Sequence, residues 1–235
     1  MRVLSTFIAA VVCGAALTAT VSPQVQPAQP AGGTDIYHVN FSKAVPGEAA
    51  ALGQALSVPD KTAPMPEHFV VLRHQEGDDW DYMVIQHLGP KVAFDAAPTP
   101  PGPAFKLRAW HNDTFVSGPS WGEFTKAMGL GESGAASAVY IVGVHRPLPG
   151  HREDLVKALT QAGPAASKVQ TGDLLFQHLE GADWSFLSLT RYNSWQDLAT
   201  DRAAAAAAGD QGGWAEIRRH SAFHRDTIVD RVYPK

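Results

Sequence analysis

Cysteine is almost missing from this 235-residue chain: Cys13 is the only one, and it falls in an apolar leader. Once that leader is cleaved no thiol remains, which excludes disulfides, thiolate nucleophiles and thiolate metal ligands. Positive charge is not in excess either. The formal net charge is -4 and the pI about 6.2, so no broad field is available to neutralise phosphates, which argues against nucleic acid or an anionic membrane as partner. The chain has no His-Glu-x-x-His spacing, phosphate-cradling glycine motif, dinucleotide fingerprint or nucleophile elbow. Nothing therefore points to a local metal set, to nucleotide chemistry or to a serine hydrolase, and no resident cofactor is expected.

A long apolar run is lacking as well. Residues 3–19 follow Arg2 and are apolar or small, but Ser5, Thr6, Gly14 and Thr18 interrupt them and Pro23 follows. That falls short of the roughly 20 residues a membrane span needs, and reads as a secretory signal over residues 1–22. The Pro-, Gln-, Ala- and Gly-rich residues 23–34 read as a flexible tether. The expected mature protein is exported, periplasmic or secreted, with no membrane attachment after cleavage.

A hydrophobic fraction of 45% against 18% charged supplies an ordinary globular core. That core is written twice. Ile36-Tyr37-His38-Val39 leading to Pro46-Gly47 matches Val139-Tyr140-Ile141-Val142 leading to Pro149-Gly150. Leu52 and Leu56 match Leu155 and Leu159, an i, i+4 pair on one helix face. His74, Gly77, Trp80 and Tyr82 match His178, Gly181, Trp184 and Phe186 as a hairpin with an acidic turn. Lastly, Trp110-His111-Asn112-Asp113-Thr114 matches Phe223-His224-Arg225-Asp226-Thr227. Before this last block the second copy has an Ala-rich helical stretch, while Pro98, Pro100, Pro101 and Pro103 confine the first copy to a short or unwound helix.

Each copy thus runs strand, helix, strand, strand, helix, strand. The predicted fold class is α+β: two fused ferredoxin-like βαββαβ units, residues 35–118 and 138–235, joined by a linker over 119–137. Their bare sheet faces pack together, sheet to sheet, as a pseudo-dimer within one chain.

The opening strand with Pro149-Gly150, the central hairpin and Tyr192-Asn193-Ser194-Trp195-Gln196-Asp197-Leu198 resemble the dimeric α/β barrel superfamily, within it the antibiotic-biosynthesis-monooxygenase-like domains. The resemblance implies a pseudo-dimeric α/β barrel and a small apolar or aromatic ligand bound between sheet and helices. It spans cofactor-independent oxygenases, haem-degrading enzymes, polyketide cyclases and proteins without assigned activity, so it speaks to fold more than to function.

Of the ten histidines, four fall in repeated blocks: His74 with His178, and His111 with His224. Asp113 and Asp226 stand two residues beyond the latter pair. On a strand this puts imidazole and carboxylate on one face, where the carboxylate orients the ring and stabilises its charged form. On a helix the two diverge by about 200°, and His220 instead shares a face with His224. His178, His224 and Asp226 are the candidate catalytic residues, with His74, His111 and Asp113 their first-copy counterparts. Trp80, Trp184, Tyr82 and Phe186, read as aromatic pairs on one face of each hairpin strand, are candidate ligand contacts. The expected activity is proton transfer or cofactor-independent oxidation with His as general base. Two other readings stand beside it: a non-catalytic module with scaffold histidines, and a haem protein with a His axial ligand.

Overall fold

The computed structural model describes residues 35–90, 102–132, 137–161, 169–209 and 213–235. The expected signal peptide, the tether and Pro98, Pro100 and Pro101 lie outside the described residues. Alternating and β-branched runs form eight strands: β1 (Asp35–Ala44), β2 (Phe69–Glu76), β3 (Tyr82–Pro90), β4 (Arg108–Gly118), β5 (Val139–Pro147), β6 (Gln170–Glu180), β7 (Phe186–Tyr192) and β8 (Ser221–Tyr233). Five helices, α1 (Ala49–Leu56), α2 (Trp121–Met128), α3 (Arg152–Thr160), α4 (Trp195–Ala208) and α5 (Gly213–His220), lie between them, with a 3-10 turn at Pro103–Leu107.

All strand pairs are antiparallel, and the strand order closes on itself: β1-β3-β2-β8-β5-β7-β6-β4 and back to β1. The sequence reading had two sheets meeting face to face. The structure has one closed sheet instead, because β2 pairs with β8 and β4 with β6, and its inner face encloses one barrel. Edge pairing satisfies backbone groups that two open sheets would leave bare.

With a side-chain period of two, every strand sends alternate residues inward. Val39, Leu72, Ile85, Val116, Tyr140, Phe176, Leu187 and Val229 come from eight different strands into one buried cluster. Outside, Leu52 and Leu56 of α1 cover Phe69, Val71 and Tyr82, while Leu198 of α4 covers Val139, Ile141 and Tyr192. The interval expected to be a linker carries α2, whose Phe124 and Met128 enter the barrel cluster. A capping box starts this helix: Ser120 accepts from the Glu123 N–H, and Glu123 accepts from Ser120. Trp121 at its first turn stacks on His68 and His87, centroids 4.6 and 5.3 Å away.

The two hairpin turns sit in matching places. Gly77, at φ 128°, lies against β8, where an added Cβ would meet the Asp226 carbonyl at 2.5 Å; Gly181, at φ 98°, lies against the Asp113 carbonyl of β4. Each turn from one half of the barrel is thus seated on the His-x-Asp strand of the other half, an approach only glycine permits.

Candidate functional site

The repeated histidines lie on strands, which settles the geometry of the His-x-Asp blocks. His224 Nε2 donates to Asp226 Oδ1 at 2.9 Å on β8, and His111 Nε2 stands 3.2 Å from Asp113 Oδ2 on β4. Both pairs face outward from the barrel. His220 closes α5 instead of sharing a face with His224.

In the second half this outer face is roofed by α3, α4 and α5. Between sheet and helices lies a cavity of about 380 Å³, with Ala158, Leu159, Trp214 and Ile217 among its apolar walls and His145, Ser188 and Asp226 among its polar ones. His145, cross-strand from His224, stacks on it at 5.1 Å and 18°. Trp214 meets His224 edge-on at 4.7 Å. His145 is buried, with Nε2 2.9 Å from Ser188 Oγ and no partner for Nδ1. A bare lone pair costs less there than a bare N–H, so the proton belongs on Nε2. Burial, and after it the neighbouring His224, lower the His145 pKa to about 4 against the opposing charge of Asp226. His145 is neutral near pH 7 for that reason. Arg202 stands 3.4 Å from Asp226 Oδ2 and over the Trp214 ring.

Space for this cluster comes from Gly143. A Cβ there would stand 2.5 Å from Ser188 Oγ, 2.7 Å from His145 Nε2 and 3.1 Å from Asp226 Oδ1. Also lining the cavity, Tyr192 donates to the buried Asp201 at 2.7 Å, and burial raises the pKa of Asp173 against a hydrogen bond from Thr190.

The first half arranges the same pair differently. Asn40 and Ser42 occupy the register positions of Gly143 and His145: Ser42 faces His111 as His145 faces His224. Asn40 Nδ2 donates to Asp113 at 2.7 Å, and His38 Nε2 stands 2.9 Å from the same oxygen. Burial would raise the Asp113 pKa, but hydrogen bonds from His38 and Asn40, with the charges of His38 and His111, outweigh it and hold it at about 2. The Asp113 side chain is 43% exposed against 22% for Asp226. Between β3 and β4 the described residues contain only the 3-10 turn, where the second half has α4 and α5.

The structure does not bring His178 or His74 to these pairs. Both lie at the barrel-interior side of their strands, His178 5.0 Å from Trp184 and His74 5.6 Å from Trp80. His178 Nε2 already accepts the Ala182 N–H at 3.0 Å, and burial lowers its pKa against a backbone hydrogen bond with Glu180. The expected face-sharing of the aromatic pairs also fails. Strands β3 and β7 begin at Tyr82 and Phe186, so Trp80 and Trp184 belong to the turns, where strand alternation does not apply. The tryptophans join the barrel interior and line a second cavity of about 220 Å³ at its end, while Tyr82 lies outside under α1. Phe186 lies outside too, beneath the Arg152 guanidinium at 4.6 Å.

No protein family and no curated protein matches the chain. Solved structures do. An anthrone oxidase-like protein aligns with a TM-score of 0.55 at 14% identity over 87% of this chain and 94% of its own. A candidate monooxygenase from Lactobacillus acidophilus NCFM gives 0.52 at 11% identity, over 84% of this chain and 94% of its own. Another from Fusobacterium nucleatum gives 0.52 at 9%, over 85% and 93%. At such identities the likeness is one of fold alone: these three structures share the chain's α+β barrel architecture.

Proposed function

We propose that this chain is an exported protein of two fused ferredoxin-like units that binds a small apolar or aromatic molecule in the cavity of its second half and removes a proton from it. The observation that carries this reading is Asp226 at the wall of a roofed and largely apolar cavity, with His224 2.9 Å behind it. Asp226 faces the ligand and takes the proton, His224 hydrogen-bonds the same carboxylate, and the neutral His145 stacked on His224 adds no charge beside it. A phenol or an activated C–H deprotonated here becomes an anion rich enough in electrons to react with dioxygen. The substrate itself supplies all four electrons: an activated CH2 group becomes C=O, or a phenol becomes a quinone, so one oxygen atom enters the product and the other leaves as water with the two hydrogens lost, without a resident cofactor. The fold neighbours, two of them candidate monooxygenases and one anthrone oxidase-like, are compatible with this class. The repeated strand order, β4-β1-β3-β2 and then β8-β5-β7-β6, supports the two-unit reading. Export rests on the character of residues 1–22 alone.

The test is a thermal-shift screen of the mature protein against phenols, quinols, anthrone-like ketones and haem, followed by oxygen uptake with each binder. A ligand at 100 times its Kd adds about 2.7 kcal/mol. Oxygen uptake that falls at least 100-fold in Asp226→Asn and His224→Gln is expected. Binding without turnover would convert the cavity into a non-catalytic site, and turnover indifferent to both substitutions would place the chemistry elsewhere. A Soret band on adding haem, lost in a single His variant, would favour the haem reading.

A further inference from the structure

Two histidines outside every repeated block meet where α3 begins and α5 ends. His151 is the N-cap residue of α3 and Asp154 lies in its first turn; His220 is the last residue of α5. Their ring nitrogens face each other, Nδ1 to Nδ1, at 2.9 Å, and Asp154 Oδ2 is 3.9 Å from His151 Nδ1. All three potential ligand atoms lie within 4.8 Å of one another. We propose that His151, Asp154 and His220 bind a divalent transition-metal ion of the zinc or copper class, which fastens α5 to the start of α3.

The donor set and its surroundings both point there. In a tetrahedral site with ligands at about 2.0–2.1 Å, ligand atoms stand roughly 3.3 Å apart, so the two nitrogens need to separate by only a few tenths of an ångström. Glu216 Oε1 is 2.9 Å from His220 Nε2. That carboxylate holds the proton on Nε2 and leaves the Nδ1 lone pair facing His151, the outer-shell arrangement that orients a ligating imidazole. Two imidazoles with one carboxylate suit zinc, copper or nickel and not the harder magnesium or calcium. The site draws its residues from two segments far apart in the chain, which is why no short spacing announces it. Occupancy also reaches the large cavity mechanically, since α5 carries Trp214 and Ile217 and α3 carries Ala158 and Leu159. The site itself stands whether or not that cavity proves catalytic.

The experiment is calorimetric titration of the untagged mature protein with zinc chloride, paired with visible absorption on adding cobalt(II). One equivalent taken up at micromolar concentration, with a tetrahedral cobalt band and a raised Tm, is expected. His151→Ala and His220→Ala should each weaken binding at least tenfold. Glu216→Ala, which leaves all three ligands in place, should weaken it about tenfold. Circular dichroism of each variant separates lost ligation from lost folding. The proposal is overturned if no saturable uptake occurs up to 100 µM metal, an order-of-magnitude ceiling for such donors. It is equally overturned if uptake survives in the His151→Ala, His220→Ala double variant, or if it is abolished by His68→Ala, since His68 and His87 form another close pair at 3.2 Å.

Discussion

At the scale of the residue, the second-half site depends on one missing side chain. Gly143 lets Ser188, His145 and Asp226 converge, and its Cβ-bearing counterpart Asn40 fills the corresponding space in the first half. Gly143→Ala should therefore cost about 1–3 kcal/mol in urea denaturation, by overpacking. The double variant with Ser188→Ala should recover part of that loss. His145 adds a pH dependence of definite sign. Its folded pKa of about 4 lies below the ordinary 6.5, so between these values the unfolded chain binds a proton that the folded chain refuses. Stability should fall by up to about 3 kcal/mol as the pH drops from 6.5 towards 4, and His145→Gln should flatten that part of the curve in denaturant titrations at fixed pH. The His-x-Asp pairs were legible because they repeat. His145 and Gly143 were not, because Ser42 and Asn40 stand in their places, and comparing the halves selects only what they share.

At the scale of the element, α2 shows how a short helix escapes notice. It has only eight residues, too few for a clear period, and it was read as linker. Its start signal was nevertheless present in Ser120-x-x-Glu123, a capping box. Ser120→Ala should cost about 1 kcal/mol, which in a chain of this size lowers Tm by roughly 2–4 °C in a calorimetric scan. The tryptophans were misplaced for a related reason. The period of two was carried across a turn, from Trp80 to Tyr82, where no strand exists to sustain it. By contrast the first half's short turn before β4 was legible, since Pro103 stands at its first residue and proline removes the helical donor. Among the described residues, helices cover the Asp226 cavity and only the 3-10 turn lies between β3 and β4 on the side of the more exposed Asp113.

At the scale of the whole molecule, barrel closure rests on two unequal seams. Along one, β2 and β8 pair from Val71 to Glu76, reinforced by Arg73, which donates to both Asp230 oxygens at 3.0 and 2.6 Å. Along the other, β4 and β6 pair only from Phe115 to Ser117. The succession of strands along the chain was readable from the matching sequence blocks, but the pairing of β2 with β8 and β4 with β6 was not, since edge strands carry no mark of the strand they will meet. Expressed as separate chains, the halves should be insoluble or self-associated, and mixing them should restore a single species on size exclusion, because each exposes two edges that only the other completes. The seating of Gly77 on the backbone at Asp226 has a further consequence. A turn in one half serves as the bench on which Asp226, the carboxylate of the proposed site, is set, so the first half supports the cavity of the second. Gly77→Ala, far along the chain from the cavity, should weaken ligand binding there as well as stability by displacing the Asp226 backbone, although no cavity-wall residue is itself substituted.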